Sequence, residues 1–116
     1  MNVLISLNDA PYGSERAYNG LRLAAALGQR ADVNVRIFLV GDAVACAKSG
    51  QQVPRGYYNV EFMLAGIVRT RGQIGVCGTC MDARGIADGE IIEGTARSSL
   101  EQWAEWTIAA DQHITF

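Results

Sequence analysis

Proline, cysteine and histidine are scarce in this sequence of 116 residues, which contains two prolines, three cysteines and one histidine. An odd number of cysteines does not suit a secreted disulfide framework. A closed zinc site needs about four Cys or His ligands, and His113 lies far in sequence from the closely spaced Cys77 and Cys80. In a reducing compartment closely spaced cysteines more often serve redox chemistry or bind metal, and the shortage of ligands makes metal the weaker option. We therefore expect a chain with no structural metal and no disulfide framework.

Positive charge is also limited. Ten Lys and Arg residues are outnumbered by twelve Asp and Glu residues, and the net charge is -2. A nucleic-acid-binding domain is expected to be basic, so this class is disfavoured. No window holds the ~18 apolar residues of a membrane span, and the first residues lack the pattern of a signal peptide. We expect a cytoplasmic protein with neither nucleic acid nor membrane as a partner.

Motifs that cradle phosphate groups are absent as well. The loop after the first apolar run lacks the glycines and the lysine of a P-loop, and no G-x-G-x-x-G follows that run. The sequence therefore predicts no nucleotide, and we expect no other bound cofactor.

Short apolar runs alternate with helical patterns along the chain. Short runs of apolar, β-branched and aromatic residues predict five strands, of which the last two are weaker. The predicted strands are 3–7, 33–40, 74–77, 90–92 and 114–116. Helical patterns lie between them, at 14–29, 43–48, 59–72, 79–84 and 98–110. This order predicts an α/β fold, a three-layer sandwich with a mainly parallel five-stranded sheet and helices on both faces. We expect residues 1–116 to form one domain.

Several polar residues are candidates for helix N-caps. Ser14 precedes the first helical pattern and Asn59 precedes the third. Ser98 with Glu101, or Ser99 with Gln102, has capping-box spacing before the last. On that last helix Trp103 and Trp106 are three residues apart and can share one face, so we expect both to be partly buried.

The pair Cys77 and Cys80 lies where a predicted strand gives way to a predicted helix. A thiol in this position faces unpaired N–H groups, which lower its pKa and favour the reactive thiolate. Three interpretations remain open for Cys77: an acceptor of sulfane sulfur, half of a redox pair with Cys80, or an inert buried residue. Ligands and reactive groups of parallel sheets gather at the carboxyl ends of the strands, so we expect loops 8–13, 41–42 and 77–79 to meet there.

The other candidates for chemistry have simpler explanations. Cys46 lies among alanines within a short helical pattern and is expected to be a packing residue. His113 opens the last predicted strand and is expected to make a structural hydrogen bond. Arg84 either folds back towards the strand ends or remains a solvated charge at a helix C-terminus.

The order and spacing of several segments resemble the DsrE/DsrF-like family, which includes YchN-type proteins and TusD-type sulfur-relay subunits. The likeness extends over nearly the whole chain. It rests on the opening strand 3–7, the helix 14–24, the strand 35–40 followed by Gly41-Asp42-Ala43-Val44, Cys77 with Arg84-Gly85 downstream, and the closing Thr115-Phe116.

This resemblance implies a small α/β sandwich that assembles into homotrimers, homohexamers or related oligomers. In the sulfur-relay members it also implies an acceptor cysteine that carries a persulfide and passes it to a partner protein. The spacing to Arg84-Gly85 transfers that role to Cys77, whereas Cys80 departs from the TusD-type pattern. Our leading interpretation is a sulfur carrier or sulfurtransferase with Cys77 as its nucleophile and Cys80 as an auxiliary thiol. The alternatives are a non-catalytic oligomeric binding module and a Cys77–Cys80 dithiol redox protein.

Overall fold

Five parallel strands form the centre of the molecule, for which a computed structural model describes residues 1–116. The strands are β1 (Asn2–Leu7), β2 (Asn34–Leu39), β3 (Gln73–Cys77), β4 (Thr95–Ser98) and β5 (Gln112–Thr115). They lie in the order β4-β3-β2-β1-β5, and every neighbouring pair is parallel. The predicted α/β class and five-stranded sheet are therefore confirmed, and the sheet is wholly parallel.

Helices cover both faces of this sheet. They are α1 (Arg16–Leu27), α2 (Val60–Arg69), α3 (Gly78–Ala83) and α4 (Leu100–Ala109), with two 3-10 helices at Gly41–Ala47 and Asp88–Glu90. The side chain of Leu7 approaches α1 at Gly20, whereas the neighbouring Ser6 bonds to Trp103 of α4. Since successive side chains of a strand point to opposite faces, α1 and α4 lie on opposite sides of the sheet. None of the helices is both long and apolar enough to cross a bilayer.

The core explains why the central strands are mainly apolar. All residues from Val3 to Leu7 are buried, and so are Ile37, Phe38 and Leu39 of β2. A strand covered on both faces has no solvent side, so its sequence shows no alternation of polar and apolar residues. Burial on both faces is what made β1, β2 and β3 recognisable in the sequence.

The fourth strand does not lie where the sequence predicted it. Residues 90–92 do not join the sheet, because Glu90 ends the second 3-10 helix and Ile91 pairs with Lys48 in an isolated bridge. Ile92 is buried and donates its N–H to the Ala47 carbonyl oxygen at 2.8 Å. Gly94, with φ +91°, then turns the chain into β4. This polar strand lies at an edge of the sheet, so its sequence lacks the apolar run of a central strand.

Two of the three predicted caps are present. The Asn59 side chain accepts the N–H of Phe62 at 3.1 Å, and the Ser99 side chain accepts the N–H of Gln102 at 3.2 Å, so Ser99 rather than Ser98 caps α4. Ser14 is not itself the N-cap residue, which is Glu15, but its hydroxyl accepts the N–H of Arg16, the first residue of α1, at 3.4 Å and donates to the Asp9 carboxylate at 2.8 Å.

A polar network anchors α4 and β5 to the sheet. Ser6 is fully buried, and its hydroxyl lies 2.7 Å from His113 Nε2 and accepts the indole N–H of Trp103 at 2.9 Å. Trp103 also stacks on Phe38, with ring centroids 5.0 Å apart, and Trp106 meets the edge of that ring. His113 therefore makes the structural hydrogen bond expected of it, and both tryptophans are partly buried as expected.

Candidate functional site

The three loops predicted to meet at the carboxyl edge of the sheet do so. The N–H of Gly41 donates to Cys80 Sγ at 3.2 Å, and the Cys46 thiol donates to the Asp9 carbonyl oxygen at 3.8 Å. These contacts link the loops after β1, β2 and β3, which lie far apart in sequence. The edge therefore brings the chain's three cysteines into one region.

Cys77 is the last residue of β3 and the N-cap of α3. It is 2% exposed, and its Sγ lies 3.3 Å from the hydroxyl of Thr79. Burial by itself raises the pKa of the thiol, but hydrogen bonds from the side chains of Cys80 and Thr79 and from their backbone N–H groups outweigh it. The pKa of Cys77 is therefore lowered, as expected for a thiol among the unpaired N–H groups of a helix start.

The pKa of Cys80 is shifted in the opposite direction. Its partial burial and the neighbouring Cys77 raise its pKa, although the Gly41 N–H and the positive charge of Arg84 oppose this shift. The pKa values of these two neighbouring thiols are therefore shifted in opposite directions, with that of Cys77 lowered and that of Cys80 raised.

Arg84 folds back towards the strand ends, which is one of the two arrangements that its sequence position left open. Its guanidinium donates twice to one Asp42 carboxylate oxygen, at 2.8 and 3.2 Å, and once to the Cys80 carbonyl oxygen at 3.1 Å. The charge acts on Cys80 and is absent from the groups that shift the pKa of Cys77. Arg84 therefore joins α3 to the loop after β2.

A groove of about 310 Å³ provides a route to Cys77 from one side. Its lining consists of the start of α3, the end of β4 and the first turn of α4, namely Cys77, Gly78, Thr79, Arg97, Ser98, Ser99, Leu100 and Glu101. Sequence reasoning missed Thr79 and Arg97. Thr79 could have been noticed as the hydroxyl inside the C-x-x-C motif, but β4 was predicted elsewhere, so nothing indicated that Arg97 lies beside Cys77.

Cys46 is not part of this site. It is fully buried, and burial raises the pKa of its thiol to about 12. A thiol in such surroundings remains protonated and inert. This agrees with the packing role expected from the sequence.

A second cleft, of about 330 Å³, lies elsewhere on the surface and is mainly aromatic. It is lined by Tyr12, Gln52, Val53, Pro54, Tyr57 and Tyr58. No cysteine or other strong nucleophile is among these residues, so we assign the chemistry to the groove at Cys77.

The pH dependence of alkylation tests the lowered pKa of Cys77. We expect the rate of its reaction with iodoacetamide to reach half-maximum below the pKa of about 8.5 of a free cysteine. Cys80→Ala should move that midpoint upwards, because the thiolate loses a hydrogen-bond donor. Peptide-resolved mass spectrometry at a series of pH values measures both, with Cys46 as the slow internal reference. A Cys77 midpoint at or above that of a free thiol would contradict the assignment.

These features define a class: a small α/β protein with a wholly parallel sheet and a pair of cysteines where a strand meets a short helix. A model of the DsrE/DsrF-like family matches residues 1–116, and the chain belongs to that family. The chain is 40% identical over 115 residues to Protein YchN of Escherichia coli (strain K12), covering 98% of this chain and 97% of YchN. It is 33% identical over 117 residues to the uncharacterized protein MJ0989 of Methanocaldococcus jannaschii, with all of both chains covered.

Solved structures agree with this membership. The crystal structure of YchN from E. coli superimposes with a TM-score of 0.93, covering 99% of this chain and 98% of that one. MTH1491 from Methanobacterium thermoautotrophicum, a protein of unknown function, superimposes with a TM-score of 0.76 over 99% of this chain and 98% of its own. Its identity is only 10%, so that likeness concerns the fold alone.

Proposed function

We propose that this protein is a sulfur carrier of the sulfurtransferase type, which accepts sulfane sulfur as a persulfide on Cys77 and passes it to the thiol of a partner protein. The observation that carries the proposal is the position of Cys77 at the end of β3, where the Thr79 hydroxyl lies 3.3 Å from its Sγ and a groove of about 310 Å³ reaches it. Membership of the DsrE/DsrF-like family, which is associated with sulfur relay, supports it.

The transfer step needs no external oxidant or reductant. The Cys77 thiolate attacks the outer sulfur of a donor persulfide and forms a new S–S bond. The S–S bond of the donor breaks, and the donor leaves as a thiolate that takes the electron pair. In the second step the thiolate of the acceptor attacks the outer sulfur on Cys77, and Cys77 leaves as a thiolate in turn.

The surroundings of Cys77 suit both steps. The hydrogen bonds from Thr79 and Cys80 favour the anionic sulfur, which is the attacking group in the first step and the leaving group in the second. Gly78, Ser98 and Ser99 are small residues in the lining of the groove, which leaves room for a sulfur-bearing side chain to approach. The proposal includes a cytoplasmic location, since a reducing compartment keeps both thiols free.

Mass spectrometry tests this function directly. The reduced protein is incubated with a low-molecular-weight persulfide, excess donor is removed, and intact mass is measured. We expect one added sulfur atom, located on Cys77 by peptide mapping and removed by dithiothreitol. The absence of an adduct, or an adduct located only on Cys80, would overturn the assignment of Cys77.

A dithiol redox function is the second candidate, because Cys80 follows Cys77 by three residues at the start of α3 and both thiols are free. A Cys77–Cys80 disulfide forms with the loss of two hydrogen atoms, which a disulfide oxidant would accept. This function predicts a reversible loss of two mass units that is absent from Cys77→Ser and from Cys80→Ser. An unchanged mass after treatment with oxidised glutathione would reject it.

We also propose that the protein forms a homo-oligomer, a trimer or a hexamer. Several large apolar side chains are solvent-exposed on the isolated chain, among them Tyr57, Phe62 and Ile108, which are 73%, 69% and 87% exposed. An exposed apolar side chain is stabilised when another subunit removes it from water, so these residues are candidates for subunit contacts.

The oligomer is tested by light scattering coupled to size-exclusion chromatography. We expect a mass three or six times the 12.5 kDa of one chain. Combined Phe62→Glu and Ile108→Glu substitutions should shift the distribution towards the monomer, whereas Ala31→Glu, at an exposed turn position, is the control for added charge. A wild-type mass of one chain would contradict the proposal.

A further inference from the structure

Arg97 is held in a fixed position beside Cys77. It belongs to β4, one residue before Ser98, which is the register partner of Cys77. Its guanidinium donates to Asp82 at 2.6 Å and, through Nε, to Asp88 at 2.6 Å. The side chain is only 37% exposed, which indicates that it lies along the protein surface.

The path of this side chain depends on a glycine. A Cβ atom placed on Gly78 would lie 2.5 Å from Arg97 Nη1 and 3.1 Å from Arg97 Cγ. Gly78 is the first residue of α3, and Asp82 lies one turn further along the same helix. The arginine therefore crosses the start of α3 and is bound to its last turn.

Helix α3 has six residues, and a helix this short gains little stability from its own hydrogen bonds. Its position must be set by its contacts with the rest of the protein. Two residues of α3 act on Cys77 as donors: Thr79, whose hydroxyl lies 3.3 Å from Cys77 Sγ, and Cys80, whose hydrogen bonding lowers the pKa of Cys77. Any contact that holds α3 against β4 therefore also determines how well those donors are aligned.

We propose that Arg97 is a positioning residue for the reactive thiol. By pairing with Asp82 on α3 and with Asp88 on the second 3-10 helix, it holds α3 against β4 and keeps Thr79 and Cys80 directed at the sulfur of Cys77. The purpose of this positioning rests on the proposed function. The positioning itself concerns only the thiolate of Cys77, whether or not that thiolate carries sulfur.

A direct effect of charge is the competing explanation, and it predicts the opposite sign for one variant. The charged groups near Cys77 are Arg97 with its partners Asp82 and Asp88, Glu101 in the groove lining, and Arg84 at the end of α3. Removing the negative charge of Asp82 would, by Coulomb's law alone, favour the thiolate and lower the pKa of Cys77. Loss of the positioning contact should instead raise it.

The experiment measures the pH profile of Cys77 alkylation in Asp82→Asn and Arg97→Met. We expect both substitutions to raise the midpoint and to slow alkylation at pH 7 by roughly three- to tenfold, since one pKa unit changes the thiolate fraction about tenfold below the midpoint. Arg97→Lys keeps the positive charge but loses the planar guanidinium that bonds to both Asp82 and Asp88. We therefore expect its alkylation midpoint to lie between those of the wild type and Arg97→Met.

Lys48→Met is the matched control. Lys48 pairs with Glu90 at 3.0 Å on the same 3-10 helix that carries Asp88, but it has no bond to α3. We expect wild-type alkylation in this variant. A midpoint that falls in Asp82→Asn, or that stays unchanged in both Asp82→Asn and Arg97→Met, would overturn the positioning role.

Circular dichroism and thermal melts confirm that each variant is folded at the assay temperature. The two proposals fail differently. If wild-type protein gains no sulfur, the proposed function fails while the alkylation profiles still test Arg97. If the profiles of the Arg97 and Asp82 variants match the wild type, the positioning role fails whether or not Cys77 carries sulfur.

Discussion

Replacement of Cys77 by Ser is expected to lower the sulfur loaded from a persulfide donor to about a tenth of the wild-type amount or less, because a hydroxyl is neither a thiolate nor a carrier of sulfane sulfur. The substitution is close to isosteric at a position that is 2% exposed, so the fold should be retained. Intact-mass measurement after a fixed exposure to the donor gives the loaded fraction directly.

The other two cysteines provide the controls. Cys80→Ala should still be loaded on Cys77, but at a rate lower by roughly three- to tenfold at pH 7, because the thiolate has lost a donor. Cys46→Ala should load like the wild type, since Cys46 is buried and protonated. Undiminished loading of Cys77→Ser would show that another residue carries the sulfur.

Phe38→Ala is expected to lower the free energy of unfolding by about 3–5 kcal/mol. Phe38 is fully buried in β2, and its ring lies parallel to that of Trp103 at 5.0 Å and edge-on to that of Trp106 at 6.3 Å. Helix α4 has no fully buried residue of its own, so these aromatic contacts are a large part of its attachment to the sheet. The substitution leaves a cavity and removes both contacts.

Urea denaturation at a fixed protein concentration measures this effect, since stability of an oligomer depends on concentration. Tryptophan fluorescence is a suitable signal because the chain's two tryptophans, Trp103 and Trp106, both touch Phe38. Phe38→Leu is the graded control, and we expect a smaller loss because it leaves a smaller cavity. If Phe38→Ala cost less than about 1 kcal/mol, the assigned packing of α4 would be wrong.

Different parts of the fold were recognisable in the sequence to different degrees. The strand β1 is recognisable from its own apolar run, because it is buried on both faces. Asn59 is recognisable as a helix cap, because its side chain bonds within the first turn of α2. The edge strand β4 has the polar sequence Thr95–Ser98 and does not carry such a signal. The apolar residues of 90–92 resemble a strand in the sequence, but Ile92 is buried beside the first 3-10 helix, where its N–H donates to the Ala47 carbonyl oxygen, and not within the sheet.

The candidate site shows the same division. The spacing of Cys77 and Cys80 at the end of an apolar run was sufficient to place both cysteines where β3 meets α3. The two arrangements left open for Arg84 could not be distinguished, because its partner Asp42 lies on another loop. Arg97 was missed entirely, since its proximity to Cys77 depends on the pairing of β3 with β4.

The sequence by itself thus determined the α/β class, the strands of the centre, the cysteine pair and the resemblance to the family, all of which depend on patterns within short segments. The opposite pKa shifts of the two cysteines, downward for Cys77 and upward for Cys80, were visible only in the folded chain. That difference comes from hydrogen bonds and charges at Cys77 and Cys80, including the N–H of Gly41, which is 39 positions away in the chain. A pKa depends on the groups surrounding a side chain in space, and the folded sheet brings those groups together.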